Sequence, residues 1–143
     1  MTGPVCVMCG KYGESGGALH IVDLESSRLF LHEDQFFPGY VLLVLRRHAT
    51  ELYELSAPER RTLVEEVSRV AEALSRVFRP VKMNYELLGN QVPHIHWHLV
   101  PRLATDPDLH APIWRVAHDP APLGSVAARD RIDAIRRALA TSV

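Results

Sequence analysis

His94-Ile95-His96-Trp97-His98-Leu99-Val100 is the stretch that decides the fold and, with it, the chemistry. In an extended strand alternate side chains share a face. The three imidazoles therefore line one surface, and Ile95, Trp97 and Leu99 point into a core. Imidazoles on a sheet face add little packing and are costly to bury unpaired. A solvated edge strand with incidental histidines is the plain alternative. Eight histidines in 143 residues make some clustering expected, but not strict alternation of three. A three-histidine zinc centre is a second option, and strand geometry opposes it. Residues i and i+4 lie about 13 Å apart, at about 3.3 Å per residue, whereas Zn–N bonds are about 2.0 Å. Only a sharply bent strand would bring His94 and His98 to one ion. The row is expected to divide its labour, one histidine structural and the next two meeting a ligand.

The flanking chain supplies the setting for that strand. Ala18–Leu24 and Arg28–His32 read as two short strands around a Glu25-Ser26-Ser27 turn. Pro38-Gly39 marks another turn, and Tyr40–Leu45 is apolar throughout, as in a strand buried on both faces. Ser56 and Glu59 form a capping-box pattern with Pro58 in the first turn, and Pro80 closes the helix. Leu63, Val64, Val67, Val70, Ala71, Leu74, Val77 and Phe78 give that helix one apolar face. Val81–Leu88 reads as a strand, Gly89-Asn90-Gln91 as a polar loop, and Pro93 and Pro101 fence the histidine strand. Residues 102–126 read as irregular, and Arg129–Leu139 as a short amphipathic helix. This order predicts an α+β fold, an antiparallel sheet of about five strands with one long and one short helix.

Composition narrows the classes. At 143 residues and 16.1 kDa, with 47% hydrophobic and 23% charged residues, the chain suits a single domain, 1–143, with a real core. Sixteen Lys and Arg against 17 Asp and Glu leave a charge of −1, which gives no footing for nucleic acid or an anionic membrane. No apolar run approaches the roughly 20 residues of a membrane span. Met1-Thr2-Gly3-Pro4 lacks the parts of a signal peptide, so a cytoplasmic protein is expected. Residues 10–17 hold four of the eight glycines and read as a flexible connection that ends an N-terminal arm, 1–17.

Imidazole suits attack on phosphorus. Neutral at pH 7, it attacks without first losing a proton, and it leaves well from the phosphoramidate it forms. A neighbouring imidazole can donate to phosphate oxygens as charge builds. Gly89, Asn90 and Gln91, just before the strand, can add backbone and side-chain N–H groups. Cys6-Val-Met-Cys9-Gly10 has the form of a zinc knuckle. A redox pair would follow a strand and open a helix, and this one runs into glycines. A metal-free thiol pair stays open.

The row resembles the H-φ-H-φ-H-φ-φ signature of the histidine triad (HIT) superfamily, where φ is apolar. The resemblance extends from about Phe30 to Trp114. Pro38-Gly39-Tyr40-Val41-Leu42, followed by Arg46-Arg47-His48, is similar to that family's P-G-H strand. Tyr40 stands for its usual histidine and Leu45 for its proline. The resemblance implies a HIT-like fold, a homodimer, and hydrolysis or transfer of nucleotidyl groups by attack on an α-phosphate. Diadenosine tetraphosphate hydrolases are the members it is most similar to.

Carried over by position, the resemblance makes His96 the nucleophile and His98 a donor to the α-phosphate or bridging oxygen. It places Asn84, Gly89, Asn90 and Gln91 at the phosphate and His32 at the ribose. Trp114, in a C-terminal extension 102–143, falls where some members reach the partner subunit's site. In the zinc-bearing branch, as in galactose-1-phosphate uridylyltransferases, C-x-x-C joins two histidines. Here those are His48 and His94, so Cys6, Cys9, His48 and His94 are the implied ligands of a structural zinc. His20, His110 and His118 are left as surface or loop residues. A nucleotidyltransferase, a nucleotide-binding module with little turnover and a metallohydrolase remain alternatives.

Overall fold

The computed structural model describes residues 6–13 and 17–141. The signal-peptide reading at Met1–Pro4 and residues 14–16 of the glycine-rich connection lie outside the described residues. Five antiparallel strands stand in the order β1-β2-β3-β5-β4. They are β1 His20–Asp23, β2 Ser27–Leu31, β3 Val41–Leu45, β4 Lys82–Glu86 and β5 His96–Arg102. Helix α1 spans Val7–Lys11, α2 Ala57–Phe78 and α3 Ser125–Ala140. The expected α+β architecture, with its long and short helices, is the one observed.

Helix α2 starts as its capping signals require. Ser56 Oγ accepts from the Glu59 backbone N–H at 3.2 Å, and the Glu59 carboxylate accepts from Ser56 N–H at 2.6 Å. The helix ends at Arg79, in the left-handed region with φ 50°, and Pro80 prevents its continuation. Its inner face, Val67, Val70 and Leu74, packs with Ile132, Ile135 and Leu139 of α3 onto one side of the sheet, at Leu29, Leu31, Val41, Leu43 and Leu99. Val64, expected on that stripe, is exposed, because the buried arc is centred on Leu63, Val67, Val70 and Leu74. Strand β3 is buried along its whole length, as an apolar central strand should be.

The opposite side of the sheet carries the imidazoles. His96 pairs with Val44, and His98 lies between Leu42 of β3 and Glu86 of β4. Strand β5 is shifted relative to the expected span: it starts at His96 and runs through Pro101 to Arg102. Pro101 is tolerated because β3 begins at Val41, opposite Leu99, so no β3 partner waits for its missing N–H. Helix α3 begins at Ser125, not Arg129. Its first turn, Ser125–Ala127, is exposed and adds nothing to the apolar periodicity, which starts at Ala128.

One buried charge ties the layers together. Glu66 of α2 is 3% exposed and accepts from Ser26 N–H at 2.8 Å, Ser26 Oγ–H at 2.6 Å and Ser27 Oγ–H at 2.6 Å. It fixes the β1–β2 turn to the long helix. Glu66→Ala is expected to destabilise the protein by about 2–4 kcal/mol, since it strands buried donors. A urea midpoint that falls with an unchanged slope would show this, and a loss within experimental error would refute it.

Candidate active site and metal cluster

The nucleophile candidate is defined by its tautomer. His96 is buried on strand β5, and its Nδ1 lies 2.6 Å from the carbonyl oxygen of His94. A carbonyl only accepts, so Nδ1 carries the proton and Nε2 holds a bare lone pair. His96 lines an open cleft of about 540 Å³. His98 stands beside it, with ring centroids 4.9 Å apart. Burial first, then the nearby His96 and His32, pushes the His98 ionisation down to about 4, so the ring is neutral at pH 7. Its Nδ1 meets the Tyr40 hydroxyl at 2.6 Å. The ring of Tyr40 stacks on His32 at 4.0 Å and 9°.

Most of the residues singled out from the sequence meet in this cleft. His32, Gly89, Asn90, Gln91 and Trp114 line it together with His96 and His98. Gly89 has φ 76°, a conformation that favours glycine and turns the loop into the cleft. Asn84 stands apart from this lining. It shares the sheet face but pairs with Val100, two residues beyond the Glu86–His98 pair, and so lies about 6–7 Å further along the strand. Its side chain accepts from buried Arg102 at 2.9 Å, in a separate cavity with Lys82 and His110. Trp114 lies edge-on to His98 of its own chain, with centroids 5.1 Å apart, and its Nε1–H donates to Glu86. Sequence reasoning missed Met8, Lys11 and Tyr12 of the α1 arm, which also line the cleft; Glu33, open from the sequence as an alternative to His32 at the ribose, lines it too and pairs with Lys11. No local motif marks these residues, because the cysteine pair is what brings the arm there.

That pair forms a cluster with two imidazoles. The ligand atoms of Cys6, Cys9, His48 and His94 all lie within 4.8 Å of one another. Each cysteine Sγ is 3.5 Å from His94 Nδ1, Cys9 Sγ is 3.5 Å from His48 Nδ1, and the two Nδ1 atoms are 3.2 Å apart. A tetrahedral zinc needs about 3.6 Å between S and N and about 3.3 Å between two nitrogens, given Zn–S near 2.3 Å and Zn–N near 2.0–2.1 Å. His94 Nε2–H donates to the Leu45 carbonyl at 2.8 Å, which leaves His94 Nδ1 unprotonated and facing the thiols. Burial first, then Cys6, raises the Cys9 thiol above its ordinary value. Cys6 caps α1, so the pair does open a short helix, contrary to expectation. The imidazoles set against the sulfurs are what distinguish it from a redox pair. The donor set fits zinc.

Comparison with known proteins agrees with this geometry. The HIT domain model matches residues 17–105, more than half of the chain. The chain belongs to the HIT family. This HIT protein is 33% identical to a histidine triad protein from Bradyrhizobium japonicum, with a TM-score of 0.78 over 85% of this chain and 90% of that one. Over 85 residues it is 29% identical to the asymmetrical bis(5'-nucleosyl)-tetraphosphatase of Schizosaccharomyces pombe. That match covers 56% of this chain and 47% of the yeast protein, so the chain spans about half of that relative's length. A zinc-bound histidine triad family protein from Mycobacterium smegmatis shares the fold at 21% identity and a TM-score of 0.69, covering 95% of this chain and 94% of that one.

Two histidines read from the sequence as surface or loop residues have carboxylate partners in this HIT protein. His20 Nε2 contacts Asp23 at 2.8 Å. His118 places Nε2 2.8 Å from the Asp34 carboxylate and Nδ1 2.8 Å from the Val116 carbonyl, and stacks on Phe36 at 4.0 Å. Both nitrogens face acceptors, and the Asp34 bond holds the His118 ionisation above its ordinary value. Burial tends to raise Asp34, but N–H bonds from Ala121 and Phe36, together with His118, lower it overall. The contact pins the segment after Trp114 to the β2–β3 loop. The His118 contribution to stability is complete below its unfolded value near 6.5 and is lost as pH rises through the raised value. That of Asp34 is complete above about 3.9 and is lost on acidification through the lowered value. Asp34→Asn should therefore cost more stability at about pH 6 than at about pH 9. Urea midpoints at the two values test this, and an equal penalty at both would count against the ion pair.

Proposed function

We propose that the chain is a nucleotidyl hydrolase that attacks the α-phosphate of a dinucleoside polyphosphate or an AMP conjugate, through a covalent nucleotidyl group on His96. The observation that carries this is the hydrogen bond from His96 Nδ1–H to the His94 carbonyl on a ring that lines the cleft, which in the neutral imidazole leaves the lone pair at Nε2. Nε2 forms a bond to phosphorus as the bond to the leaving-group oxygen or nitrogen breaks, and the leaving group takes that electron pair. The ring becomes cationic, and the carbonyl dipole at Nδ1–H stabilises it. Water then forms a P–O bond, the P–N pair returns to Nε2, and one proton passes to solvent. His98, with Gly89, Asn90 and Gln91, provides donors to the phosphate oxygens, and His32 and the α1 wall meet the nucleoside. The activity carried in the name of the yeast relative supports the substrate class.

In the same reading Cys6, Cys9, His48 and His94 hold a structural zinc, and the chain pairs as a homodimer. The ligand spacing and the zinc-bound neighbour support the metal. Strand β4 is a sheet edge with Val81 and Tyr85 exposed, which supports pairing. A bound zinc would tie the α1 arm to the start of β5, and folding and metal binding would be coupled.

Incubation with diadenosine polyphosphates and an AMP–amine conjugate, followed by mass spectrometry of products and intact protein, is expected to show release of AMP and a trapped nucleotidyl adduct. Both should vanish in His96→Ala, with turnover down by at least about 10³-fold; full turnover in that variant would overturn the nucleophile. Added inorganic phosphate appearing in the product would make the protein a transferase instead. Cys6→Ser, or treatment with a chelator, should lower the melting temperature before it affects the chemistry. An unchanged melt would exclude a structural metal.

A further inference from the structure

Tyr40 occupies a decisive position that neither the nucleophile nor the metal cluster accounts for. Its ring is 4% exposed, is held face to face by His32, and sends its hydroxyl to His98 Nδ1 at 2.6 Å. We propose that Tyr40 is a positioning residue that locks His98 in its Nε2–H tautomer and so suits the cleft to leaving groups that depart as anions, phosphoanhydrides ahead of amine conjugates. This rests on the reading of His96 as nucleophile.

The argument begins with what a phenol can offer. Among the described residues the Tyr40 hydroxyl has one hydrogen-bond partner, His98 Nδ1, and a buried phenolic O–H with no other acceptor donates to it, since accepting there would leave its own proton unpaired. Burial first, then the charges of Glu86, Asp34 and Tyr12, pushes Tyr40 ionisation well above its ordinary value, so the hydroxyl keeps its proton. His98 Nδ1 is therefore an acceptor, and Nε2–H is the donor left for the cleft. The other groups facing His98 do not change this: His96 lies 4.9 Å away, Trp114 meets it edge-on, and Glu86 is engaged by Trp114 Nε1–H. A histidine at position 40 could itself gain or lose a proton near neutral pH. The buried tyrosine does not, and with its one proton given to His98 it fixes Nδ1 as the acceptor.

That role has a chemical consequence. Neutral Nε2–H can donate a hydrogen bond to a phosphate oxygen but surrenders its proton poorly, and Tyr40 cannot replace that proton without becoming a buried phenolate. Cleavage of a phosphoanhydride sends an electron pair onto oxygen and releases a phosphate of pKa near 6, which needs no proton. Cleavage of a P–N bond releases an amine, whose nitrogen must gain a proton as the bond breaks. Through His98 the cleft has a donor suited to the first, and His98 is not a poised acid for the second.

The test compares diadenosine tetraphosphate with an AMP–amine conjugate, which share the transferred AMP, and reads the His98 nitrogen signals by 15N NMR. Wild type is expected to favour the anhydride in kcat/KM by about 100-fold or more, the low end of a missing general acid. Its His98 should show an unprotonated Nδ1 and a protonated Nε2. Tyr40→Phe keeps the ring on His32. It is expected to lower kcat on the anhydride about tenfold with KM unchanged, less than the roughly 100-fold cost of deleting a donor outright, and to mix the His98 tautomers. Tyr40→His should narrow the preference about tenfold by restoring a titratable partner. Equal use of both substrates by wild type, a protonated Nδ1, or unchanged tautomer and preference in Tyr40→Phe would each overturn the proposal. If a variant fails to fold, the wild-type spectrum and preference decide alone. Retained turnover in His96→Ala would instead overturn the nucleophile reading, and the nitrogen signals would still judge the Tyr40 lock.

Discussion

His94 makes the two hydrogen bonds on which the rest of the site depends. Its ring Nε2–H donates to the Leu45 carbonyl at the end of β3, and its own carbonyl accepts from His96 Nδ1–H. The first bond sets the ring so that Nδ1 faces Cys6, Cys9 and His48. The second sets the ring of His96 so that its free lone pair lies at Nε2. One residue thereby fixes the tautomers of two imidazoles with opposite duties. The arm, the central strand and the ring of His96 are coupled within three residues of chain.

This coupling explains why the arm and the cleft belong together. Helix α1 has five residues, too short to be stable by itself. It is held by the cysteines at one end and by Met8 packing against Phe30, Leu42 and Val44 on the histidine face of the sheet. Once held, it presents Lys11 and Tyr12 to the same cleft that His96 and His98 line. The Cys2His2 cluster stands outside the cleft lining, yet it determines where one wall of the cleft stands.

The alternation at His94–His98 and the capping box at Ser56–Glu59 were legible in the sequence because each is a local rule: strand periodicity, and a reciprocal pair of hydrogen bonds across three residues. The fully apolar run of β3 was legible for the same reason. What was not legible depended on distance along the chain. Glu66 reads as one more polar residue on a helix until Ser26 and Ser27, 40 and 39 residues away, come to meet it. His118 meets a backbone carbonyl two residues back, but its carboxylate partner, Asp34, lies 84 residues away. Asn84 carried the right side chain on the right face, and only the β4–β5 register shows that it lies beyond the cleft. The first turn of α3 was invisible because it is exposed and has no apolar stripe.

The far end of β5 has its own organising charge. Arg102 is 1% exposed and gives its guanidinium to the Asp106 carboxylate at 2.8 Å, Asn84 Oδ1 at 2.9 Å, and the carbonyls of Ala111 and Asp108 at 2.7 Å each. A buried guanidinium is tolerated only when its donors are met, and here the chain after β5 must curl back to meet them. That curl runs from Leu103 to Pro112 and delivers Ile113 into the core beneath the sheet and Trp114 to the edge of His98. Asn84, which the family pattern would send to phosphate, gives its amide oxygen to this clamp. The strand therefore follows one tightly bonded residue, His94, and ends on another, Arg102, and the imidazoles of His96 and His98 between them face the cleft.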